Sequence, residues 1–390
     1  MNNFNYQNPT RILFGKGQIA EIANQIPADA KILITYGGGS IKRNGTLDQV
    51  HAALEGFTYH EFGGIEPNPT YGTLMKAVEL ARAEGIDYLL AVGGGSVIDG
   101  TKFIAAAIPF KGEDPWTILS ERAPIESAVP LGNVLTLPAT GSESNSGAVI
   151  TRRETNDKLA FMNPLVFPTF AVLDPETTFS LPANQTANGV VDAFVHVMEQ
   201  YLTKCENAPV QDRYAEGLLL TLIEEGPKVL ATPDSYEARA NVMWAANQAL
   251  NGLIGQGVSQ DWATHMIGHE ITALHGLDHG QTLAVVLPSL MNVMRGQKGA
   301  KIVQYAERVW NIREGSEDER IDQAIAKTRE FFEQMGIPTR LTDYGVAKDG
   351  EHTSVVSALV EQLKRHGMVQ LGEEGNITPE VSTRILAEAV

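Results

Sequence analysis

The sequence predicts an α/β domain over about residues 1–180, built on a Rossmann-like parallel sheet with flanking helices, and an all-α domain over 181–390. Two observations carry this. Up to about residue 180, short β-branched runs alternate with helical stretches, and each run stops at glycine, proline or asparagine. Beyond Asp174-Pro175 and Leu181-Pro182, long amphipathic segments take over and no comparable strand run follows. With 390 residues, 43% of them hydrophobic and 20% charged, the chain can bury a core in each half.

Taken in order, Lys31 to Tyr36 (KILITY) reads as a strand ending in Gly37-Gly38-Gly39-Ser40. Residues 71–84 read as a helix, with Leu74, Ala77, Val78 and Ala81 at helical spacing. Residues 87–92 (DYLLAV) form the next strand, which runs into Gly93-Gly94-Gly95-Ser96 and an amphipathic stretch over 97–107. Apolar runs at 129–138 and 170–173 extend the sheet. Strand, glycine turn and helix in repetition argue for a parallel sheet covered on both faces. In the second half, residues 184–203, 210–223, 238–253 and 261–274 read as amphipathic helices, and 314–319 (EGSEDE) as a solvated loop.

Charge and cysteine content exclude several functions. Lys and Arg total 30 against 47 Asp and Glu, a net charge of −17 that repels phosphate backbones and anionic membranes. No nucleic-acid or membrane partner is expected. The single cysteine, Cys205, excludes an internal disulfide and a thiolate cluster, so any metal must use histidine and carboxylate ligands. The N-terminal stretch has no basic flank followed by an apolar core, and no apolar run is long enough for a bilayer. The expected location is cytoplasmic.

A turn of three glycines leaving a strand lets backbone N–H groups approach a phosphate closely. Gly93 to Ser96 has that context, although Ile98 stands where G-x-G-x-x-G needs its third glycine. At the end of KILITY the residues are small and neutral, and Lys42 and Arg43 follow. Enzymes that prefer NAD commonly place a carboxylate at such a strand end, so this composition favours NADP(H). Residues 135–144 carry Thr136, Thr140, Ser142 and Ser144, which suit a pyrophosphate or ribose and equally suit a helix cap. There is no G-x-S-x-G and hence no support for a hydrolase nucleophile elbow.

Five of the nine histidines fall between His196 and His279. Asp192 and His196 are four apart and lie one turn above another on a helix, and His265 and His269 repeat that spacing. His275 and His279 follow. Three imidazoles and one carboxylate can hold a catalytic Zn²⁺ or Fe²⁺ and leave a position open. The H-E that begins at His269 is no zinc-protease motif, because Ala273 stands where its second histidine belongs.

These residues resemble the iron-containing (group III) alcohol dehydrogenases along nearly the whole chain. The resemblance rests on Gly93 to Ser96 with Asp99, the Thr136 to Ser144 stretch, Asp174-Pro175 with Leu181-Pro182, and Asp192/His196 with His265, His269 and His279-Gly280. YGGGS in place of an acidic residue, and D-W-x-x-H-x-x-x-H, are similar to the NADPH-dependent broad-specificity aldehyde reductase and butanol dehydrogenase branch. The resemblance implies the dehydroquinate synthase-like fold of that family and a homodimer. It implies one divalent ion, Fe²⁺ or Zn²⁺, on Asp192, His196, His265 and His279, with His269 beside the nicotinamide as a non-ligand. It assigns Gly37, Gly38, Gly39, Ser40 and Asn68 to the adenosine end of NADP(H), and Gly94, Gly95, Ser96 and Asp99 to the pyrophosphate. Thr136, Thr140 and Lys158 take the rest of the cofactor, and His275 has no role.

The expected reaction is hydride transfer between NADP(H) and short- to medium-chain aldehydes or primary alcohols, in a cleft beside the sheet's carboxyl edge, with the metal polarising the carbonyl and the proton coming from metal-bound water or through His269 as a relay. A metal lyase of the dehydroquinate synthase type would need Lys and Arg in the helical domain for its anionic substrate. Residues 261–274 have neither, and 184–203 have neither before Lys204. A non-redox metal hydrolase would have no use for two strand-end glycine turns.

Overall fold

The structure, a computed structural model, describes residues 1–204, 207–348 and 350–390; Cys205 lies outside the described residues. Two compact units are present. One joins Gln7–Leu181 to Asp234–Asn247, and the other joins Met1–Tyr6, Pro182–Pro233 and Gln248–Val390. A contiguous division near residue 180 therefore omits an exchange in each direction. Asp234–Asn247 enters the sheet unit through long-range contacts that helical periodicity does not reveal. Trp244 packs edge-to-face on Phe14 with centroids 5.6 Å apart, and the Asn247 amide donates to Glu143 (2.9 Å) and Ser144 (2.8 Å). In the other direction, the Asn2 N–H donates to the Gly257 carbonyl at 2.8 Å.

The sheet unit contains β1 (Arg11–Phe14), β2 (Lys31–Tyr36), β3 (Thr58–Phe62), β4 (Tyr88–Gly94), β5 (Leu131–Leu137), the hairpin β6 (Gly147–Arg152) and β7 (Asp157–Met162), and β8 (Phe170–Leu173). Six strands pair in parallel in the order β1-β8-β5-β4-β2-β3, and β6 pairs antiparallel with β7. Helices α1 (Ser40–Arg43), α2 (Thr46–Ala53), α3 (Tyr71–Glu84), α4 (Gly95–Ala107) and α5 (Thr117–Ser120) connect them. Alternate strand residues face opposite ways. Leu33, Leu89, Ala91, Leu131 and Leu135 pack in one cluster with Leu74, Val78, Ile98 and Phe103. Ile32, Ile34, Leu90, Val92 and Val134 pack in another with Ile22, Ile41 and Val50. Burial on both faces is why β4 reads as an uninterrupted apolar run.

The remaining helices are α6 (Ala183–Tyr201), α7 (Pro209–Ala231), α8 (Tyr236–Ala249), α9 (Ala263–His275), α10 (His279–Val293), α11 (Arg295–Arg308), α12 (Glu317–Gln334), α13 (His352–Arg365) and α14 (Pro379–Ala389). Every residue of α6 from Gly189 to Tyr201 is buried, so the helix that carries Asp192 and His196 runs through the core of its unit. The EGSEDE stretch is a loop only in its first half. Ser316 caps α12 by accepting from the Glu319 N–H, and Glu319 returns a bond to the Ser316 N–H at 2.7 Å. Glu317, Asp318 and Glu319 then occupy the first turn, where carboxylates meet the positive end of the helix.

Candidate active site

In the helical unit, α6, α9 and α10 bring four predicted donors together. Asp192 Oδ1 lies 3.3 Å from His196 Nδ1, 3.8 Å from His265 Nε2 and 3.6 Å from His279 Nε2. Asp192, His265 and His279 offer ligand atoms all within 4.8 Å of one another. His196 adjoins this trio, with its Nε2 3.0 Å from His265 Nε2. Asp192 Oδ1 and His196 Nδ1 are buried and take no hydrogen bond. A buried carboxylate oxygen without a proton partner is costly, and a cation among these donors removes that cost. The mixed imidazole and carboxylate set fits Zn²⁺ or Fe²⁺.

Backbone packing brings the three helices close. A Cβ on Gly280 would lie 2.6 Å from the Asn188 carbonyl oxygen, so only glycine lets the start of α10 approach α6 this closely. That approach sets His279, the first residue of α10, against Asp192. The entry to α9 is tied down by Asp261, whose Oδ1 accepts from the Ala263 N–H at 2.8 Å. Lys298, almost wholly buried, reaches Asp261 Oδ2 at 2.8 Å and Glu373 Oε2 at 2.7 Å. Burial would raise the Asp261 carboxyl, but the Lys298 ammonium and the hydrogen bonds from Glu373 and the Ala263 N–H together outweigh it and hold it below the usual carboxylate range.

Glu199 is the residue of this centre that the sequence reading missed. It sits on α6 at the i+7 position from Asp192, its carboxylate is buried, and its Oε2 contacts His265 Nδ1. The spacing of Asp192, His196 and Glu199 on one helical face was the available signal. Electrostatics divide the two neighbouring imidazoles. Burial and the adjacent His265 charge lower His196 to about 4, against the pull of Asp192. Burial would also lower His265, but the Glu199 and Asp192 carboxylates outweigh it and push that imidazole up to about 9. His269 lies one turn along α9, also buried, with its ring centroid 6.3 Å from that of His265 and 5.4 Å from that of His279. It stands outside the trio. His275 is partly buried, and burial lowers its imidazole.

In the sheet unit, the second glycine turn is required by close packing, since none of its glycines has positive φ. A Cβ on Gly93 would come within 2.5 Å of Val97, and one on Gly95 within 2.4 Å of Thr140 Oγ1. Gly95 and Thr140 are therefore in contact. The Ser96 hydroxyl accepts from the Asn68 N–H at 3.2 Å, and Asn68 Oδ1 accepts from Lys158 Nζ at 2.9 Å. Gly94, Gly95, Ser96, Asn68, Thr140 and Lys158 thus form one connected cluster. Thr136 is buried near the end of β5.

Asp99 faces inward: one oxygen accepts from the Ser142 hydroxyl at 2.5 Å and the other from the Val149 N–H at 2.9 Å. Fully buried Lys102 donates to Ser142, Asn145 and the Gly147 carbonyl, and burial lowers its ammonium to about 8. Asp99 and Lys102 together hold the hydroxyl-rich turn against α4. At the first turn, Gly39 has φ 89° whereas Gly38 has an ordinary backbone with nothing within 4 Å of an added Cβ. Lys42 lies over the Tyr36 ring, 4.7 Å from its centroid and 3.7 Å from Glu61 Oε2.

Comparison with known proteins agrees with this architecture. Residues 9–175 match the iron-containing alcohol dehydrogenase family, and residues 186–376 match the C-terminal part of the Fe-containing alcohol dehydrogenase family. The chain is 64% identical to the NADPH-dependent aldehyde reductase YqhD of Escherichia coli, over 100% of both chains. A crystal structure of E. coli YqhD superimposes with a TM-score of 0.97, covering 100% of this chain and 99% of that one at 63% identity. The NADH-dependent butanol dehydrogenase A of Thermotoga maritima matches at 35% identity and TM-score 0.94, again covering 100% and 99%. By sequence and by fold, the chain belongs to the iron-containing alcohol dehydrogenase family.

Proposed function

We propose that this chain is a metal-dependent oxidoreductase that transfers hydride between NADP(H) and short- to medium-chain aldehydes or primary alcohols, acting mainly as an aldehyde reductase. The observation that carries the reading is the convergence of buried Asp192 and His265 with part-buried His279, and with His196 beside them. Asp192, His196, His265 and His279 hold one divalent ion, Fe²⁺ or Zn²⁺. Bound there, the ion supplies a Lewis acid for an aldehyde oxygen while NADPH supplies the hydride.

The chain's own groups do the remaining work. Gly37, Gly38, Gly39, Ser40 and Asn68 receive the adenosine end of NADP(H), and Gly94, Gly95 and Ser96 offer their turn to the pyrophosphate. Thr136, Thr140 and Lys158 line the remainder. Asp99 acts on the pyrophosphate end through Ser142 and the β6 backbone, since both of its oxygens are engaged by protein donors. His269 passes a proton from its imidazole to the substrate oxygen. The 64% identity to a relative named as an NADPH-dependent aldehyde reductase supports the cofactor and the direction. A homodimer and a cytoplasmic location complete the reading, and among the described residues no helix is long and apolar enough to cross a membrane.

Cells keep NADP largely reduced, so an NADP(H) enzyme with a polarising metal should run toward the alcohol. Comparing kcat/KM for butanal with NADPH against butan-1-ol with NADP⁺ at about pH 7 tests the direction. Aldehyde reduction is expected to be the more efficient, and a clear advantage for alcohol oxidation would overturn the reading.

A further inference from the structure

Glu199 is a carboxylate 3% exposed, on the helix that carries two of the four donors, and it lies outside the trio of mutually close ligand atoms. A buried carboxylate persists only where donors satisfy it. Here Oε1 accepts from the Thr264 N–H at 2.6 Å and the His265 N–H at 3.3 Å, two amides that the first turn of α9 leaves without helical partners. Oε2 meets His265 Nδ1. An ionised carboxylate only accepts, so the proton of this contact sits on Nδ1, and a divalent ion bound at Nε2 would take the place of the second ring proton of the imidazolium. That Nε2 faces His196 Nε2 at 3.0 Å and Asp192 Oδ1 at 3.8 Å. The Glu199 carbonyl also accepts from the Asp261 N–H at 2.8 Å, which anchors the entry to α9 on the same residue.

We infer that Glu199 is a positioning residue that selects the Nδ1–H tautomer of His265, fixes the plane of its ring and strengthens Nε2 as a donor to the divalent ion. The inference rests on the metal reading above. A carboxylate behind a metal-bound imidazole increases the basicity of the ligating nitrogen, and loss of such a partner commonly lowers metal affinity about 10–100-fold. Glutamine at 199 keeps one acceptor oxygen but not the negative charge, and it cannot serve both Nδ1 and the two amides.

The test uses metal-free full-length protein. Wild type and Glu199→Gln are titrated with Zn²⁺ against a chromophoric chelator, and the visible ligand-field bands of each are recorded after loading with Co²⁺. The expected result is a Zn²⁺ Kd about 10–100-fold higher in the variant, together with displaced Co²⁺ bands. Affinity within about threefold of wild type and unmoved bands would overturn the inference while leaving the metal reading intact. Lower affinity with unmoved bands would also overturn it, because Glu199 would then serve only as a cap for α9. Wild-type protein that binds neither ion would overturn the metal reading itself, and the inference with it. Should Glu199→Gln fail to fold, ¹⁵N-histidine spectra of Zn²⁺-loaded wild type decide the matter: a His265 ring proton on Nδ1 supports the inference, and none there overturns it.

Discussion

Gly38→Asp should lower the ratio of kcat/KM for NADPH to that for NADH by roughly tenfold or more. A carboxylate at the end of β2 can accept the adenosine ribose hydroxyls of NADH and must repel the 2′-phosphate of NADPH. Two unit charges about 4 Å apart at an effective dielectric near 20 interact by about 4 kcal/mol, so a tenfold effect survives substantial screening. The backbone does not oppose the change. Positive φ belongs to Gly39, while a side chain at Gly38 enters open space. The quantity to measure is the ratio, because a general weakening of cofactor binding leaves it unmoved. An unchanged ratio in folded, metal-loaded protein would show that this turn does not face the 2′-position.

Alanine at Asp192, His196, His265 or His279 should each reduce bound metal to roughly a tenth or less of wild type after desalting, since a four-donor site deprived of one ligand holds its ion weakly. His196 is the sharpest case, because it adjoins the trio of mutually close donors without belonging to it. Stoichiometric metal in His196→Ala or His279→Ala would remove those residues from the ligand set. His269→Ala should behave differently, keeping its metal while turnover falls by about 10²–10⁴-fold if its imidazole transfers the proton. Metal loss in His269→Ala would mean that the ligand set is misassigned. Elemental analysis of the five purified variants separates these outcomes.

What could be read from the chain depended on how far each signal was local. β4 and its glycine turn were legible because a strand buried on both faces is apolar throughout, and Asp192 with His196 because four residues is one helical turn. The strands β1 and β3 and the hairpin β6–β7 were not anticipated. β1 and β3 have only exposed and part-buried positions, and the hairpin strands bury no more than two residues each, so none carries a long apolar run. Glu199 was passed over because a glutamate on a helix reads as a solvated charge until the helix is known to be buried all round. Lys102 was hidden for the same reason, its ammonium being satisfied by Ser142, Asn145 and Gly147 from some 40 residues away. Asp99 lay in the expected motif, yet its partners Ser142 and Val149 turn it into the protein. Spacing places a residue on a face, and only the tertiary fold says what that face meets.

The most direct measurement is the loss of NADPH absorbance on adding butanal to protein stripped of metal by chelation and then reloaded with Fe²⁺ or Zn²⁺. Oxidation of NADPH should fall to background in the stripped protein and return on reloading. Undiminished oxidation by protein verified to be metal-free, or none by fully loaded protein, would contradict a metal-dependent aldehyde reductase.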